Sequence, residues 1–321
     1  MNGILDINKN HNSYKIDEVG CEIMYHKDKS NPFQFYDPRG LPGYSNLVVP
    51  KDVTIPTTDE AAWNYFENYR WVYLKLNITL SQGIKCAPIG LDPDTYPVFV
   101  KPICNLLGMG VGAEKVSNYQ EYQRFQHLSG YFWMEHLEGE HLSHDFVLRK
   151  GRPVFYSCFQ GHSLGKGMFD YWESLKPEDD IKNYVYDWVE RNLQNYTGCM
   201  NVETLGSKII ECHLRTGDLD KFGNPELMQN IINVYAGREW AFHEKLAPFF
   251  LYPVWGKADT KYELNSAAID LLCSKLDFVQ IEDPNTYFEN PVGGIRIALL
   301  GSYKKQDCIS ARESLCEYLH L

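Results

Sequence analysis

Asn201-Val-Glu-Thr-Leu-Gly-Ser-Lys-Ile-Ile-Glu-Cys-His-Leu-Arg215 puts two carboxylates, Glu203 and Glu211, on two short apolar runs joined by a Gly-Ser turn. Val202 and Leu205 before the turn, with Ile209 and Ile210 after it, predict a β-hairpin. Carboxylate oxygens that hold a hard cation and leave sites for phosphate oxygens are what a magnesium–nucleotide site requires. The same residues also suit an ordinary solvent-facing hairpin, so the reading depends on what precedes it.

Upstream, Tyr96-Pro-Val-Phe-Val-Lys-Pro102 predicts a short buried strand ending in a lysine able to touch phosphate. The glycine cluster Gly108-Met-Gly110-Val-Gly112 follows, then a polar helix-like stretch, Ala113 to Leu128. Glycines let backbone amides approach phosphate oxygens closely. The cluster has neither dinucleotide-fold spacing nor the Gly-Lys-Ser/Thr of a P-loop, and Gly161-His-Ser-Leu-Gly-Lys-Gly167 misses the latter too. A third segment, Tyr131-Phe-Trp-Met-Glu-His-Leu-Glu-Gly-Glu140, reads as an aromatic strand entering an acidic turn. It suits an adenine slot with an acceptor for ribose hydroxyls. From Asp145 to Tyr156 two paired strands are expected to turn at Lys150-Gly151. His141 and His144 stand three apart, but a strand there would send them in different directions.

Taken in order, these parts resemble the ATP-grasp superfamily over about residues 60–220. Its members present a strand lysine, a glycine-rich loop, a hinge ending in Gly-x-Glu or Gly-Glu, and a Glu then Glu-x-Asn-x-Arg metal hairpin. The matching parts here are Lys101, Gly108 to Gly112, Met134 to Glu140, and Glu203 with Glu211-Cys-His213-Leu-Arg215. The resemblance implies an α+β fold in which two lobes sandwich ATP. It gives Lys101 the α/β-phosphates and the loop with Gly108, Gly110 and Gly112 closure over the triphosphate. The Met134, Glu135, His136 and Leu137 backbone would meet adenine, and Glu140 the ribose. Glu203 and Glu211 would hold one or two Mg²⁺ ions, while Arg215 and Lys101 steady charge on the transferred phosphoryl group. Where members usually carry Asn this chain has His213; as a third ligand its ring nitrogen would favour softer ions, so Mn²⁺ could serve beside Mg²⁺. A second basic residue is expected from the helix-like stretch Thr58 to Gln82, which offers Arg70 and Lys75; Arg70 is preferred because its distance to the Gly83 turn suits the family better.

The resemblance selects an ATP- and Mg-dependent ligase that joins a carboxylate to an amine or thiol acceptor through an acyl-phosphate and releases ADP and phosphate. A small-molecule kinase on the same fold, and a non-catalytic nucleotide-binding or regulatory protein, are the alternatives. A protein kinase is disfavoured, because the glycine loop follows the lysine and neither His-Arg-Asp nor Asp-Phe-Gly occurs. Arg149, Arg152, Lys166 and the segment Gln160 to Asp170 are candidate acceptor contacts.

The 321 residues carry a formal charge of −11, which disfavours nucleic acid as the main partner. Nine cysteines, odd in number and without a Cys-x-x-Cys pair, argue against a structural zinc or a full disulfide framework. No run of about 18 apolar residues and no signal-like start is seen, so no membrane partner and a cytoplasmic location are expected. Residues 1–57 read as a short N-terminal segment with β-like runs at Cys21 to Tyr25 and Asn46 to Pro50. Residues 58–247 read as the ATP-grasp domain, with a lid lobe at about 84–133 and a metal-binding lobe at about 134–247, and 248–321 as a C-terminal α/β extension. Helical spacing is clear over Ile181 to Leu193 and again at Leu227, Ile231, Ile232 and Val234. Ala267 to Lys275 and Ser310 to Leu319 read as helices, and Gly294 to Leu300 as a strand.

Overall fold

The computed structural model describes residues 47–106, 110–165, 167–217, 219–257, 260–281 and 294–321. The run Cys21 to Tyr25, Asn46, Gly108 and Lys166 lie outside the described residues. Leu47 to Pro50 forms no strand; Leu47 and Val49 pack against Val53, Ile55 and Ile232.

The stretch Thr58 to Gln82 is not one helix. It divides into α1 (Asp59–Tyr65), a 3-10 turn (Glu67–Tyr73) and α2 (Lys75–Ser81). Thr58 caps α1 by accepting from the Ala61 amide at 3.1 Å. Leu74 adopts an extended conformation to bridge Cys104, and the Lys75 amide donates to Ile103 O at 2.7 Å. Phe66 and Tyr69 both pack on Tyr196, at 4.8 and 5.1 Å between ring centroids. Tertiary pairing and aromatic packing thus override a local pattern that aromatic residues support weakly.

A small antiparallel sheet follows in the order β1-β4-β2-β3, built from β1 (Cys86–Pro88), β2 (Val98–Pro102), β3 (Glu114–Val116) and β4 (Tyr131–Glu135). The expected helix from Ala113 to Leu128 is largely absent. Its start is β3, paired with β2, and only α3 (Tyr119–Tyr122) with a following 3-10 turn is helical. Val116, Tyr122 and Phe125 from this segment close one face of the sheet over Val98, Val100 and Trp133. Apolar residues spaced to cover a sheet, rather than a helix stripe, explain the difference.

The large sheet has eight antiparallel strands in the order β11-β12-β10-β7-β6-β5-β8-β9. Its members are β5 (His141–Arg149), β6 (Arg152–Gly165), β7 (Met168–Ser174), β8 (Gly198–Leu205), β9 (Lys208–His213), β10 (Phe250–Lys257), β11 (Phe278–Ile281) and β12 (Gly294–Ser302). β5 and β6 turn at Lys150 and Gly151, both with positive φ. Strand alternation gives the sheet two apolar faces. On one, α4 (Asp179–Asn192) packs Val185, Trp188 and Val189 against Phe146, Leu148, Met200 and Val202. On the other, α5 (Pro225–Tyr235) packs Leu227, Met228, Ile231 and Val234 against Val147, Phe159, Cys199 and Leu251. α6 (Ser266–Lys275) and α7 (Lys305–Leu319) cover Tyr252, Val254, Ala298 and Leu300. Because β10 pairs with β7 and β12, residues beyond 247 continue the same sheet as the carboxylate hairpin. Among the described residues no helix is long and apolar enough to cross a membrane.

Candidate nucleotide and metal site

Glu203 on β8 and Glu211 on β9 are direct cross-strand partners. The hairpin is the edge of the large sheet, and the small sheet and the 59–81 segment meet it there. Lys101, near the end of β2, is 6% exposed and donates to Ile210 O at 3.1 Å. Lys75 at the start of α2 is equally buried and pairs with Glu211 at 2.7 Å. Burial and the neighbouring Lys75 charge bring the Lys101 ammonium down to about 8. Glu203 bonds His141 Nε2 at 2.9 Å. Burial opposes its charge, yet the His141 bond and the charges of His141, His213 and Arg215 hold the carboxyl below its ordinary range.

The C-terminal end of the hairpin is held by a residue that sequence reasoning did not single out. Asp59, 6% exposed, accepts from Arg215 Nε at 3.0 Å and Nη2 at 3.1 Å, and from His213 Nδ1 at 3.0 Å. Burial opposes its charge, but Arg215 and His213 keep its carboxyl far below the usual range. Between them, the Leu214 amide donates to Tyr73 Oη at 3.0 Å. His213 Nε2 faces Glu211 at 3.7 Å and Glu203 at 4.0 Å. Burial and the Arg215 charge lower the His213 proton affinity, but Asp59 and Glu211 together outweigh them and raise its pKa above the ordinary histidine value.

Arg70 is not part of this cluster. Its guanidinium donates to Trp63 O at 2.6 Å and lies 3.5 Å from Glu67. The break at Leu74 turns Lys75, not Arg70, toward the carboxylates, which corrects the preference drawn from spacing. Arg149 also sits apart, paired with Glu239 at the far end of the β5–β6 hairpin, about 26 Å of strand from His141. β5 sends His141 to Glu203 and His144 to the other face, where it bonds Tyr156 Oη at 2.9 Å and Thr204 Oγ1 at 3.1 Å.

Residues 136–140 leave β4 and cross to β5, docking on the turn of the carboxylate hairpin. Gly206 N donates to Glu140 O at 2.9 Å, and an added Cβ at Gly139 would lie 2.6 Å from Gly206 Cα. Two glycines are needed for that approach. Met134 points inward with Ile84 and Phe132, Leu137 packs at the edge of that cluster, and His136 stands 3.5 Å from Glu138. Glu135 and Glu140 are exposed. Gly110 and Gly112 both adopt positive φ in the turn before β3.

Solved structures share this fold. A phosphoribosylamine–glycine ligase from Thermotoga maritima superposes with a TM-score of 0.58 at 12% identity, covering 84% of this chain and 83% of that one. An N5-carboxyaminoimidazole ribonucleotide synthetase from Thermus thermophilus gives 0.56 at 13% identity over 84% and 81%. An L-amino acid ligase from Bacillus licheniformis gives 0.53 at 16% identity over 81% and 75%. No protein-family model and no curated protein matches the sequence. The chain has the ATP-grasp fold.

Within the ATP-grasp fold, the donor set can be tested against a magnesium nucleotide. Among the described residues, no three His, Cys, Asp or Glu side chains are grouped to hold a metal by themselves. A magnesium carried on phosphates requires only one or two carboxylates, and Glu203 and Glu211 provide two on adjacent strands. Lys75, Lys101 and Arg215 supply the cations that phosphates require. The residues therefore fit the group. Lys75 was within reach of sequence reading as the alternative to Arg70; Asp59 carried no motif signal at all.

Proposed function

We propose that the protein is an ATP- and Mg-dependent ligase that joins a carboxylate to an amine or thiol and releases ADP and phosphate. The observation that carries this reading is the direct opposition of Glu203 and Glu211, with Lys75, Lys101 and Arg215 converging on the same hairpin. In this reading the small sheet, within a lid lobe of about 84–133, closes on a lobe of about 134–247. Lys101 and Lys75 bind the α/β-phosphates, the glycine-rich segment 108–112 covers them, residues 134–137 meet adenine through backbone, and Glu140 takes the ribose. Bound magnesium would draw charge off the phosphate oxygens held at Glu203 and Glu211.

Arg215 stabilises the γ-phosphoryl group as a substrate carboxylate oxygen attacks phosphorus and the bond to ADP breaks. The nitrogen or sulfur of the acceptor then attacks the acyl carbon; phosphate leaves and the acceptor proton passes to solvent. The similar structures, an L-amino acid ligase and a phosphoribosylamine–glycine ligase among them, support ligation over simple phosphorylation. An ADP-release screen over amino acids, dicarboxylates and amines, with hydroxylamine trapping, tests the reading. Acceptor-dependent ADP release with hydroxamate formation is expected. Stable phosphorylated product without an acceptor would make the protein a kinase, and failure to bind Mg·ATP at millimolar nucleotide would remove nucleotide chemistry altogether.

A further inference from the structure

The buried carboxylate of Asp59 takes no part in the chemistry proposed above. Asp59 belongs to α1, outside both sheets and far in sequence from the hairpin it touches. It makes a two-point fork with Arg215 and a bond to His213 Nδ1, while Tyr73 from the adjoining 3-10 turn takes the Leu214 amide. Three consecutive hairpin residues are therefore held from the 59–73 segment. The two bonds have separate geometric consequences. The fork fixes the plane and direction of the guanidinium, whose Nη1 is also spent on Thr216 O at 3.0 Å. The bond to Nδ1 turns the imidazole so that Nε2 is the nitrogen facing Glu203 and Glu211.

We infer that Asp59 is a positioning residue of the metal and phosphoryl-transfer site, acting through Arg215 and His213 and touching no substrate itself. This rests on the proposed nucleotide chemistry. A carboxylate behind a histidine that faces a metal orients the ring, and its loss typically weakens metal affinity about 10- to 100-fold. Misplacing a charge-stabilising group by about 1 Å can lower the rate about 100-fold. A residue that only balances the Arg215 charge would have neither effect when the charge is kept and merely moved.

The test compares Asp59→Asn with Asp59→Glu, which keeps the charge but displaces it by about 1.5 Å. Full-length protein is titrated with Mn²⁺ in the presence of a non-hydrolysable ATP analogue and followed by electron paramagnetic resonance. Unfolding curves are recorded alongside, and ADP release gives kcat and KM. Both variants are expected to bind Mn²⁺ at least about tenfold more weakly and to lose kcat, with KM for ATP within about threefold of wild type. In a cycle with Arg215→Ala, the double variant should be no slower than Arg215→Ala alone, as expected when one residue acts through the other. A folded Asp59→Glu protein with wild-type Mn²⁺ affinity and wild-type kcat overturns the positioning role and leaves the ligase reading standing. Asp59→Glu also decides the matter if Asp59→Asn, which strands a buried guanidinium, does not fold. A wild-type protein that binds no Mn²⁺ with nucleotide removes the underlying reading and this role with it.

Discussion

Replacing Lys75 by Met removes the ammonium 2.7 Å from Glu211 while keeping an unbranched stem, and it separates two candidate phosphate cations. A hydrogen bond to a charged group contributes about 1.5–3 kcal/mol, which corresponds to about 10- to 150-fold in affinity. Lys75 already bonds Glu211, so part of that gain is exchanged rather than added when phosphate arrives. The expected rise in Kd for Mg·nucleotide, read by calorimetry with a non-hydrolysable analogue, therefore lies near the lower end, about tenfold. Arg70→Met should stay within about threefold, because its guanidinium is committed to Trp63 O and Glu67. A second readout follows from Lys101, which burial and the Lys75 charge bring to about 8. The protonated ammonium binds phosphate, so wild-type kcat/KM for ATP should fall as pH rises through about 8, since this parameter reports free-enzyme ionisations. Removing Lys75 takes away one of the two depressing influences, and the decline should move to higher pH. Tenfold weaker binding in Arg70→Met with unchanged binding in Lys75→Met would refute the reasoning.

Glu203→Gln and Glu211→Gln should each cut metal-dependent ADP release by about 100-fold or more while thermal unfolding still shows a folded protein; full turnover in both would make these carboxylates structural. Gly139→Ala should lower the urea midpoint and weaken nucleotide binding, because φ is +131° and the new Cβ would stand 2.6 Å from Gly206 Cα. Gly83→Ala, at φ +68° with nothing within 4 Å of its Cβ, bears only the left-handed backbone cost of about 1–2 kcal/mol, and an equal nucleotide defect in both would sink the docking argument. His144 is buried with its pKa lowered to about 4 by burial and then by the neighbouring His141 charge. Its unfolded form protonates first, near ~6.5, so this stabilisation is intact above that pH and is lost as pH falls toward 4, by about 3 kcal/mol in all. Urea unfolding at both ends of that window should show a smaller loss in His144→Gln; identical losses would exclude His144 as the source.

Much of the architecture was legible where local pattern and tertiary role coincide. Val202, Leu205, Ile209 and Ile210 encode the hairpin, the Gly206-Ser207 turn sets its register, and Glu203 opposite Glu211 follows. The stripe of Val185, Trp188 and Val189 gave α4 for the same reason. Reading failed where long-range pairing dictates backbone. Glu114 to Val116 became a strand because Val98 to Val100 offered a free edge, and Leu74 left the helical conformation to meet Cys104. That second break also decides which of Arg70 and Lys75 faces the carboxylates, which spacing on a continuous helix did not show. The continuity of 250–257 and 294–302 with the hairpin sheet was hidden because sheet order is a property of contacts more than 70 residues apart in the chain.

Asp59 was invisible for a different reason: its partners lie 154 and 156 residues away, and a lone aspartate after a helix-capping threonine looks like a first-turn charge. Yet without it the cluster would not balance. Three carboxylates, Asp59, Glu203 and Glu211, face three basic side chains, Lys75, Lys101 and Arg215, with His141 and His213 between them. Buried charges are tolerated only when paired, and here the pairing is divided in space. Asp59 pairs with Arg215 from the rear of the hairpin, leaving the guanidinium placed for the γ-phosphoryl group, whereas Lys75 and Lys101 rest on Glu211 and a carbonyl at its front. A magnesium nucleotide would bring anionic phosphates to those two lysines and a dication to Glu203 and Glu211, so each front group exchanges one opposite charge for another. The front can therefore rearrange without stranding a charge, because the rear is already neutralised. On this argument the buried Asp59 fork is what allows the carboxylate hairpin to act as a binding surface rather than collapse into a closed ion-pair network.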